Sequence, residues 1–297
     1  MPRQLVEKRF PLDLKPSLDS VWALYGEAKA AHWDPSRSVP WAEFDAGRYT
    51  AEQLAAARLV WSHRLWLAYG HLAASPALLV RFCLEHRRES DPKYFLSVRG
   101  TEEAWHVDAA ARFCERLGGV VDRPANPAYE ALFNEAAYAQ ALDGDMALEG
   151  YVAAQVAFRL ELEVALLEAT AGATTDPVAT SILGFMTADR RRHAAFGWLY
   201  LDARRDRLTD GMRASAVVQL DALCRRELAG LQVAALAEPG LADDLVAACA
   251  VTAEAGLGAA APDAALAAFA ASVAASRERL AGYGIELPKL EHRLGSF

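Results

Sequence analysis

A carboxylate and an imidazole stand three residues apart in the stretch EEAWH, at residues 102–106. In a helix this spacing puts Glu103 and His106 on one face, where both can bind the same metal ion. Helical bundles build di-metal sites from such inward-facing Glu-x-x-His pairs. Alone the pair is a weak signal, because a surface glutamate beside a core-edge histidine has the same spacing. Histidine and glutamate residues in other helical stretches strengthen this signal, so we take Glu103 and His106 as candidate metal ligands.

A second imidazole, His193, ends the stretch TADRRRH, but the residue three positions before it is Arg190 rather than a carboxylate. A guanidinium is always charged and has no lone pair to offer a metal. Glu161 stands in the apolar stretch VAFRLELEVALL, where a charge is costly unless it is paired or bound. The sequence therefore predicts that Glu161, Arg190 and His193 face the same interior as Glu103.

The helical pattern that precedes Glu103 offers no acid to this interior. No Asp or Glu occurs between Glu52 and Glu85, and the pattern offers the imidazole of His71, in LAYGHLAAS, instead. His71, Glu103 and His106 together make two imidazoles and one carboxylate, the ligand set of non-haem Fe(II) oxygenases.

Long helices must position these residues. Thr50 and Gln53 form a capping box, Gly118-Gly119 stops a helix, and Asp176-Pro177 starts one. Ser75-Pro76 either kinks a helix or begins a new segment. Apolar residues at three- and four-residue spacing predict helices over 18–33, 50–86, 91–119, 126–141, 145–172, 176–206, 209–238, 240–256 and 262–283.

We therefore expect an all-α, single-domain helix bundle, because long helical patterns are joined by short loops and strand-like alternation is absent. Residues 1–50 form an N-terminal helix and loop, residues 51–205 the core bundle, and residues 206–297 accessory helices. The tail after residue 284 reads as irregular.

Four stretches together resemble one family: LYGEAKAAHWDPSRSVPW, GTEEAWHVDAAARF, LELEVALLEA and TADRRRHAAFG. They are similar to the ferritin-like superfamily, in the branch of the ribonucleotide reductase small subunit and the related di-iron oxidases and oxygenases. The likeness spans roughly residues 20–200. It implies a four-helix bundle, dioxygen chemistry, and ligands from all four helices: an acid, a Glu-x-x-His, a glutamate and a second Glu-x-x-His. Two positions depart from this pattern, His71 and Arg190.

The departures change the charge of the site. Four carboxylates and two imidazoles balance two divalent ions, whereas two glutamates, three histidines and Arg190 do not. We therefore expect one ion, iron or alternatively manganese, in an altered centre. Its candidate ligands are His71, Glu103, His106, Glu161 and His193.

Three arrangements remain open. In the first, one ion is held by His71, Glu103 and His106, while Glu161 pairs with Arg190. In the second, Asp189 joins His193, four residues later, at an altered two-metal site. In the third, no metal is bound and the same residues form a polar network for binding or acid–base chemistry.

The expected function is a metal-dependent oxidase or oxygenase of a small organic substrate. Glu161 and Arg190 would orient or neutralise a polar group of that substrate, and His193 would act as a ligand or base. The alternative is a metal-free enzyme or small-molecule binding protein, in which Arg190 and the glutamates replace the metal centre.

Composition excludes other classes of partner. The net charge of −8 without a long basic run argues against nucleic acid. We find no uninterrupted apolar run long enough for a membrane span and no apolar core of a signal peptide at the N-terminus, so we expect a cytoplasmic protein. The resemblance leaves a homodimer open.

Overall fold

The computed structural model describes residues 17–85, 89–123, 136–228, 239–292 and 295–297. As predicted, these residues form a helix bundle. The α-helices are α1 (Asp19–Ala30), α2 (Ala51–Leu84), α3 (Asp91–Arg116), α4 (Ala136–Leu142), α5 (Leu148–Tyr151), α6 (Arg159–Ala173), α7 (Pro177–Arg204), α8 (Asp210–Ala222), α9 (Pro239–Glu254) and α10 (Pro262–Ala281). Two π-helical segments follow α5 and α8, at Val152–Phe158 and Leu223–Leu228. Short 3-10 turns lie at Trp41–Glu43, Ala46–Arg48 and Arg205–Arg207.

Helices α2, α3, α6 and α7 form the central bundle. The packing is most extensive between α2 and α3 and between α6 and α7, and α3 also contacts α7. Helix α1 covers α3 and α7, while α9 packs on α2 and α10 packs on α6. The centre is therefore enclosed by four helices and then by a partial second layer.

The ends of the core helices follow the predicted signals. The Thr50 side chain accepts from the Gln53 amide and the Gln53 side chain accepts from the Thr50 amide, which completes the capping box of α2. Asp176 caps α7, with Pro177 as its first residue. Helix α2 runs past Pro76 without a break, so of the two alternatives at Ser75-Pro76 the start of a new segment is wrong, and Pro76 lies inside one long helix.

Helix α2 is also the one helix among the described residues that is apolar and long enough to cross a membrane by composition. It lies in the bundle, with 44% of its most apolar stretch buried. A core helix passes the same test, which makes this weak evidence for a span.

A continuous helix leads from α5 through the π-helical segment into α6, within the predicted pattern 145–172. All seven residues of the segment Val152–Phe158 are buried. Gly197 of α7 faces it so closely that a Cβ there would lie 2.5 Å from the Ala157 amide nitrogen. This contact brings α6 and α7 together next to the candidate site.

The C-terminal part is helical as expected, with one addition. Residues 229–238 of the predicted helix 209–238 and residues 126–135 of the predicted helix 126–141 lie outside the described residues, as do residues 1–16. The tail contains a short antiparallel pairing of β1 (Glu291–His292) with β2 (Gly295–Ser296), where the sequence reading expected irregular chain. Leu290 and Phe297 extend the pairing by exchanging two backbone hydrogen bonds of 3.0 and 2.9 Å.

Candidate metal centre

Two helices supply the buried polar residues of the candidate centre. Glu103 and His106 of α3 are completely buried, as is His193 of α7, and Arg190 of α7 is 3% exposed. The three-residue spacing of each pair turns its members toward the interface between α3 and α7. The structure therefore brings together four of the predicted site residues.

An ion pair occupies the middle of this cluster. Arg190 donates from Nη1 to Glu103 Oε1 at 2.7 Å and from Nη2 to Glu103 Oε2 at 3.0 Å. Burial by itself raises the pKa of Glu103, but the charge of Arg190, together with the nearby histidines, outweighs it and holds the pKa well below its usual value. Glu103 is therefore a carboxylate whose charge is balanced by a guanidinium.

The two imidazoles of the cluster, His106 and His193, each contact a carboxylate through Nε2. His106 Nε2 lies 2.9 Å from Asp189 Oδ2, and His193 Nε2 lies 2.7 Å from Glu102 Oε2. Since a carboxylate accepts, Nε2 of each ring is the donor, and in a neutral imidazole the lone pair is then on Nδ1. His106 Nδ1 is 3.7 Å from Glu103 Oε2 and His193 Nδ1 is 3.3 Å from Glu103 Oε1. Neither Nδ1 has a hydrogen-bond partner among the described residues.

The carboxylates behind the histidines are themselves fixed. Trp33 Nε1 donates to Asp189 Oδ2 at 2.9 Å, and Arg192 Nη2 donates both to Glu102 Oε1, at 2.7 Å, and to Asp189. Burial raises the pKa of Asp189, but the hydrogen bonds from His106 and Trp33 outweigh it and lower that pKa. Such outer partners set the tautomer and direction of a metal-ligating histidine. Asp189 thus orients His106, rather than joining His193 as a second-metal ligand.

His71 lies beside Glu163, whereas the sequence predicted that it would share a metal ion with Glu103. Its Nε2 lies 3.2 Å from Glu163 Oε1, and the other oxygen of Glu163 lies 3.4 Å from Arg190 Nε. Arg159 Nε also donates to Glu163 Oε1, at 3.2 Å. Burial raises the pKa of Glu163, but the charges of His71 and Arg190 outweigh it and lower that pKa. The predicted triad of His71 with Glu103 and His106 is therefore not assembled.

Glu161 lies outside the cluster, so its predicted pairing with Arg190 is wrong. Its Oε2 accepts from Trp198 Nε1 at 2.9 Å, and its carbonyl oxygen accepts from Ser272 of α10. Two residues span about 200° around a helix, so Glu161 and Glu163 point to opposite sides of α6. The sequence reading missed Glu163, although Arg159 four residues earlier signals the face on which it lies.

The charges around the cluster bear on the number of ions that this donor set could hold. Close to Glu103 and Glu163 lie the guanidiniums of Arg99, Arg159 and Arg190. Two divalent ions would add to these positive charges in a buried space, where like charges repel strongly. Two imidazoles and one carboxylate are also the ligand set of single-ion non-haem iron sites. As placed, no three His, Cys, Asp or Glu side chains in the described part of the chain converge on one point, and Arg190 hydrogen-bonds both oxygens of Glu103.

A cavity of about 210 Å³ opens beside the cluster. His71, Glu163 and Arg190 form one part of its wall. The same helices also contribute His63, Arg64 and Thr170, and a set of apolar residues: Val60, Leu67, Ala68, Leu166, Leu167 and Met186. The C-terminal part contributes Cys249, Ala259, Ala260 and Ala265. A small molecule in this cavity would therefore contact the polar cluster at His71, Glu163 and Arg190.

Sequence comparisons return nothing for this chain, since neither a family model nor a curated protein matches it. Solved structures do match. An R2-like ligand-binding oxidase with an aerobically reconstituted metal cofactor aligns over 90% of this chain and 94% of its own, with a TM-score of 0.65 and 16% identity. A variant of such an oxidase with an Mn/Fe cofactor aligns over 88% and 93%, with a TM-score of 0.61 and 16% identity.

A third match is the R2-like ligand-binding oxidase from Sulfolobus acidocaldarius, with a TM-score of 0.56 and 17% identity over 89% of this chain and 94% of that one. At this identity the likeness establishes the fold. The chain has the helical-bundle fold of these R2-like oxidases, which is the fold that the resemblance of the four sequence stretches implied.

Proposed function

We propose that this protein is a metal-dependent oxidoreductase that acts on a small organic substrate with dioxygen and uses one metal ion. Glu103, His106 and His193 would hold the ion. One observation carries the proposal: both histidines are fixed through Nε2, and each presents to the oxygens of Glu103 an Nδ1 that has no hydrogen-bond partner among the described residues. Structural neighbours named as oxidases with metal cofactors support the reaction class.

An ion with two imidazole ligands and one carboxylate keeps open positions for dioxygen and substrate, and oxygen-activating chemistry is what it supplies when bound. This ligand type favours iron, with manganese as the alternative. The neighbours carry Fe/Fe or Mn/Fe cofactors, whereas the arginines around Glu103 and Glu163 favour one ion here.

The residues of this chain have distinct roles in that proposal. Arg190 supplies the positive charge that a second ion supplies elsewhere, and so keeps Glu103 ionised without a second metal. Asp189 and Glu102 hold the histidine rings in place. His71 and Glu163 stand together on the cavity wall, where the pair can hold a proton at His71 Nε2 or receive one from a substrate.

A second candidate function is a metal-free enzyme or binding protein on the same bundle. The two-point hydrogen bonding of Arg190 to Glu103 favours it, since this contact satisfies the carboxylate without any ion. In that case the acid–base chemistry would belong to His71 and Glu163, which face the cavity.

Elemental analysis of protein purified without chelator or affinity-column metal separates the two candidates. The one-ion proposal expects about one iron or manganese per chain, lost in His106→Ala and in His193→Ala. It expects retention in the control His63→Ala, which removes a histidine outside the cluster. A content near zero that anaerobic Fe(II) does not restore would reject the one-ion proposal in favour of the metal-free candidate.

A further inference from the structure

The cavity beside the centre follows a single face of α2. Val60, Arg64, Leu67 and His71 line it, and their spacing of three and four residues places them along one side of the helix. From Arg64 to His71 the helix makes about two turns, or about 10 Å. Arg64 and His71 therefore line the cavity about 10 Å apart along α2, and Glu163 and Arg190 lie on the wall beside His71.

Arg64 brings a positive charge to this cavity without an acidic partner. Its Nη2 donates to the carbonyl oxygen of Gly258 at 2.8 Å, and its guanidinium lies 4.2 Å from the centre of the Trp61 ring. Its Nη1 makes no hydrogen bond, and no carboxylate in the described part of the chain pairs with it. Burial is the main reason that the pKa of Arg64 falls to about 10.

The part of the cavity wall near His71, away from Arg64, has a different charge balance. Arg190 pairs with Glu103 and approaches Glu163, and His71 also approaches Glu163. An anionic group placed there would meet the charge of Glu163. Beside Arg64, the same anionic group would neutralise a guanidinium that has no carboxylate partner among the described residues. Hydrogen bonds between a guanidinium and an anion are among the strong ones.

We propose that the cavity binds a compact organic monoanion, whose acidic group pairs with Arg64 and whose apolar body extends along α2 toward His71, Glu163 and Arg190. This inference rests on the proposed function in one respect, the assignment of the bound molecule as the substrate. The cavity volume of about 210 Å³ is below the ~300–1,000 Å³ of sites for drug-sized ligands, so the ligand is small. Its apolar end reacts, about 10 Å from its acidic group.

Binding of 4-phenylbutanoate to the purified protein, measured by calorimetry, tests the proposal directly. We expect the anion to bind and the neutral 4-phenylbutanamide to bind about 10- to 100-fold more weakly, as the loss of a hydrogen bond between charged groups predicts. The corresponding sulfonate shows whether Arg64 selects carboxylates or accepts any monoanion.

Variants then locate the anionic group. Arg64→Met should weaken binding of the anion about 10- to 100-fold while leaving the amide unaffected, and Arg64→Lys should restore part of the loss. The matched control is Arg58→Met, because Arg58 of α2 also donates to a backbone carbonyl, that of Gly119 at 2.9 Å, but does not line the cavity. Ala265→Phe, which fills the cavity, should abolish binding.

Three results would overturn the inference: equal affinities for anion and amide, an Arg64→Met variant that binds like the wild type, or unchanged binding in Ala265→Phe. If Arg64→Met does not fold, the proposal is still tested by the affinities of the wild type for the anion and the amide, and by binding to Ala265→Phe. Metal content is measured separately, so loss of the one-ion proposal and loss of the anion site are distinguishable outcomes.

Discussion

The most unusual side chain of the candidate centre is Arg190, which stands in the position where the family resemblance implies a metal-ligating glutamate. The guanidinium binds Glu103 at two points and is buried with it. Removing one partner of such a pair leaves an uncompensated charge in the interior. A change at Arg190 therefore alters the charge balance around Glu103, and we expect it to alter the metal content of the site.

The variant Arg190→Glu should raise the metal content toward two ions per chain, because it removes a positive charge and adds a carboxylate three residues before His193. Elemental analysis after anaerobic loading with Fe(II) measures this. Arg191→Glu is the matched control, since Arg191 makes an exposed ion pair with Glu168 and has the same change in charge. A metal content that does not rise in Arg190→Glu would count against Arg190 as the replacement for the second ion.

His63 should make the stability of the protein depend on pH. Burial, with a contribution from the charge of Arg64, lowers the pKa of His63 to about 4, compared with ~6.5 in an unfolded chain. Because the native state resists protonation, stability is fully present above the unfolded pKa. It is lost as the pH falls from 6.5 toward 4, by up to about 1.4 kcal/mol per pH unit.

The variant His63→Phe should reduce this slope, and it keeps an aromatic ring against Trp66, which His63 contacts edge-on. Urea denaturation at a series of pH values gives the slope for each protein. The exposed His32 provides the control variant His32→Phe. If the free energy of unfolding depends on pH equally in the wild type and in His63→Phe, then His63 does not cause this dependence.

At the scale of elements, the close approach of α7 to the π-helical segment before α6 positions the two sides of the site. Gly197 permits it, because any side chain there would collide with the backbone of Val156 and Ala157. A wider π turn also shifts the rotation of every residue after it relative to a regular α-helix. Glu163, rather than Glu161, faces Arg190 in the resulting packing.

Gly197→Ala should therefore destabilise the fold by about 1–3 kcal/mol, the usual cost of overpacking. It should also weaken metal retention, because Arg190 and His193 lie on the same helix. Gly184→Ala on α7 is the control: its Cβ meets nothing within 4 Å, and replacing an exposed helical glycine should stabilise by about 0.5–1 kcal/mol. Chemical denaturation gives the free energy of unfolding of both variants. Equal changes in the two would contradict the explanation by close packing at Gly197.

At the scale of the whole molecule, the C-terminal helices complete the structure around the bundle. Phe269 and Val273 of α10 belong to the same buried cluster as Trp198 and Tyr200 of α7, and the segment after α9 closes the cavity wall through Ala259. We propose on this basis that the chain unfolds as one unit rather than as a bundle with a separable C-terminal part.

Gly258→Ala tests this cooperativity. Gly258 has a φ of 103° and contacts Trp61 of α2, so a Cβ would be both strained and 2.8 Å from the indole ring. We expect a cost of about 1–3 kcal/mol and, by scanning calorimetry, a single transition displaced as a whole. Gly172→Ala, whose Cβ meets nothing within 4 Å, serves as the control. A second transition that shifts alone would contradict the proposal.

The sequence by itself determined the helices, most of their ends, and the identity of the central residues Glu103, His106, Arg190 and His193. These are properties of short range, because the three- to four-residue period of a helix decides which side chains share a face and a capping residue acts on the turn beside it. The departure at Arg190 was equally visible, since it follows from residue type and position alone.

Only the tertiary structure decided which side chains meet across helices. It placed Glu163 rather than Glu161 in the cluster and His71 beside Glu163. It also turned the Nδ1 atoms of both central histidines toward Glu103 and brought Arg64 next to Gly258. The rotation of each helix about its axis depends on the packing of its neighbours and on a π-helical segment that no local pattern announced. A shift of two residues is therefore enough to turn a predicted ligand away from the site.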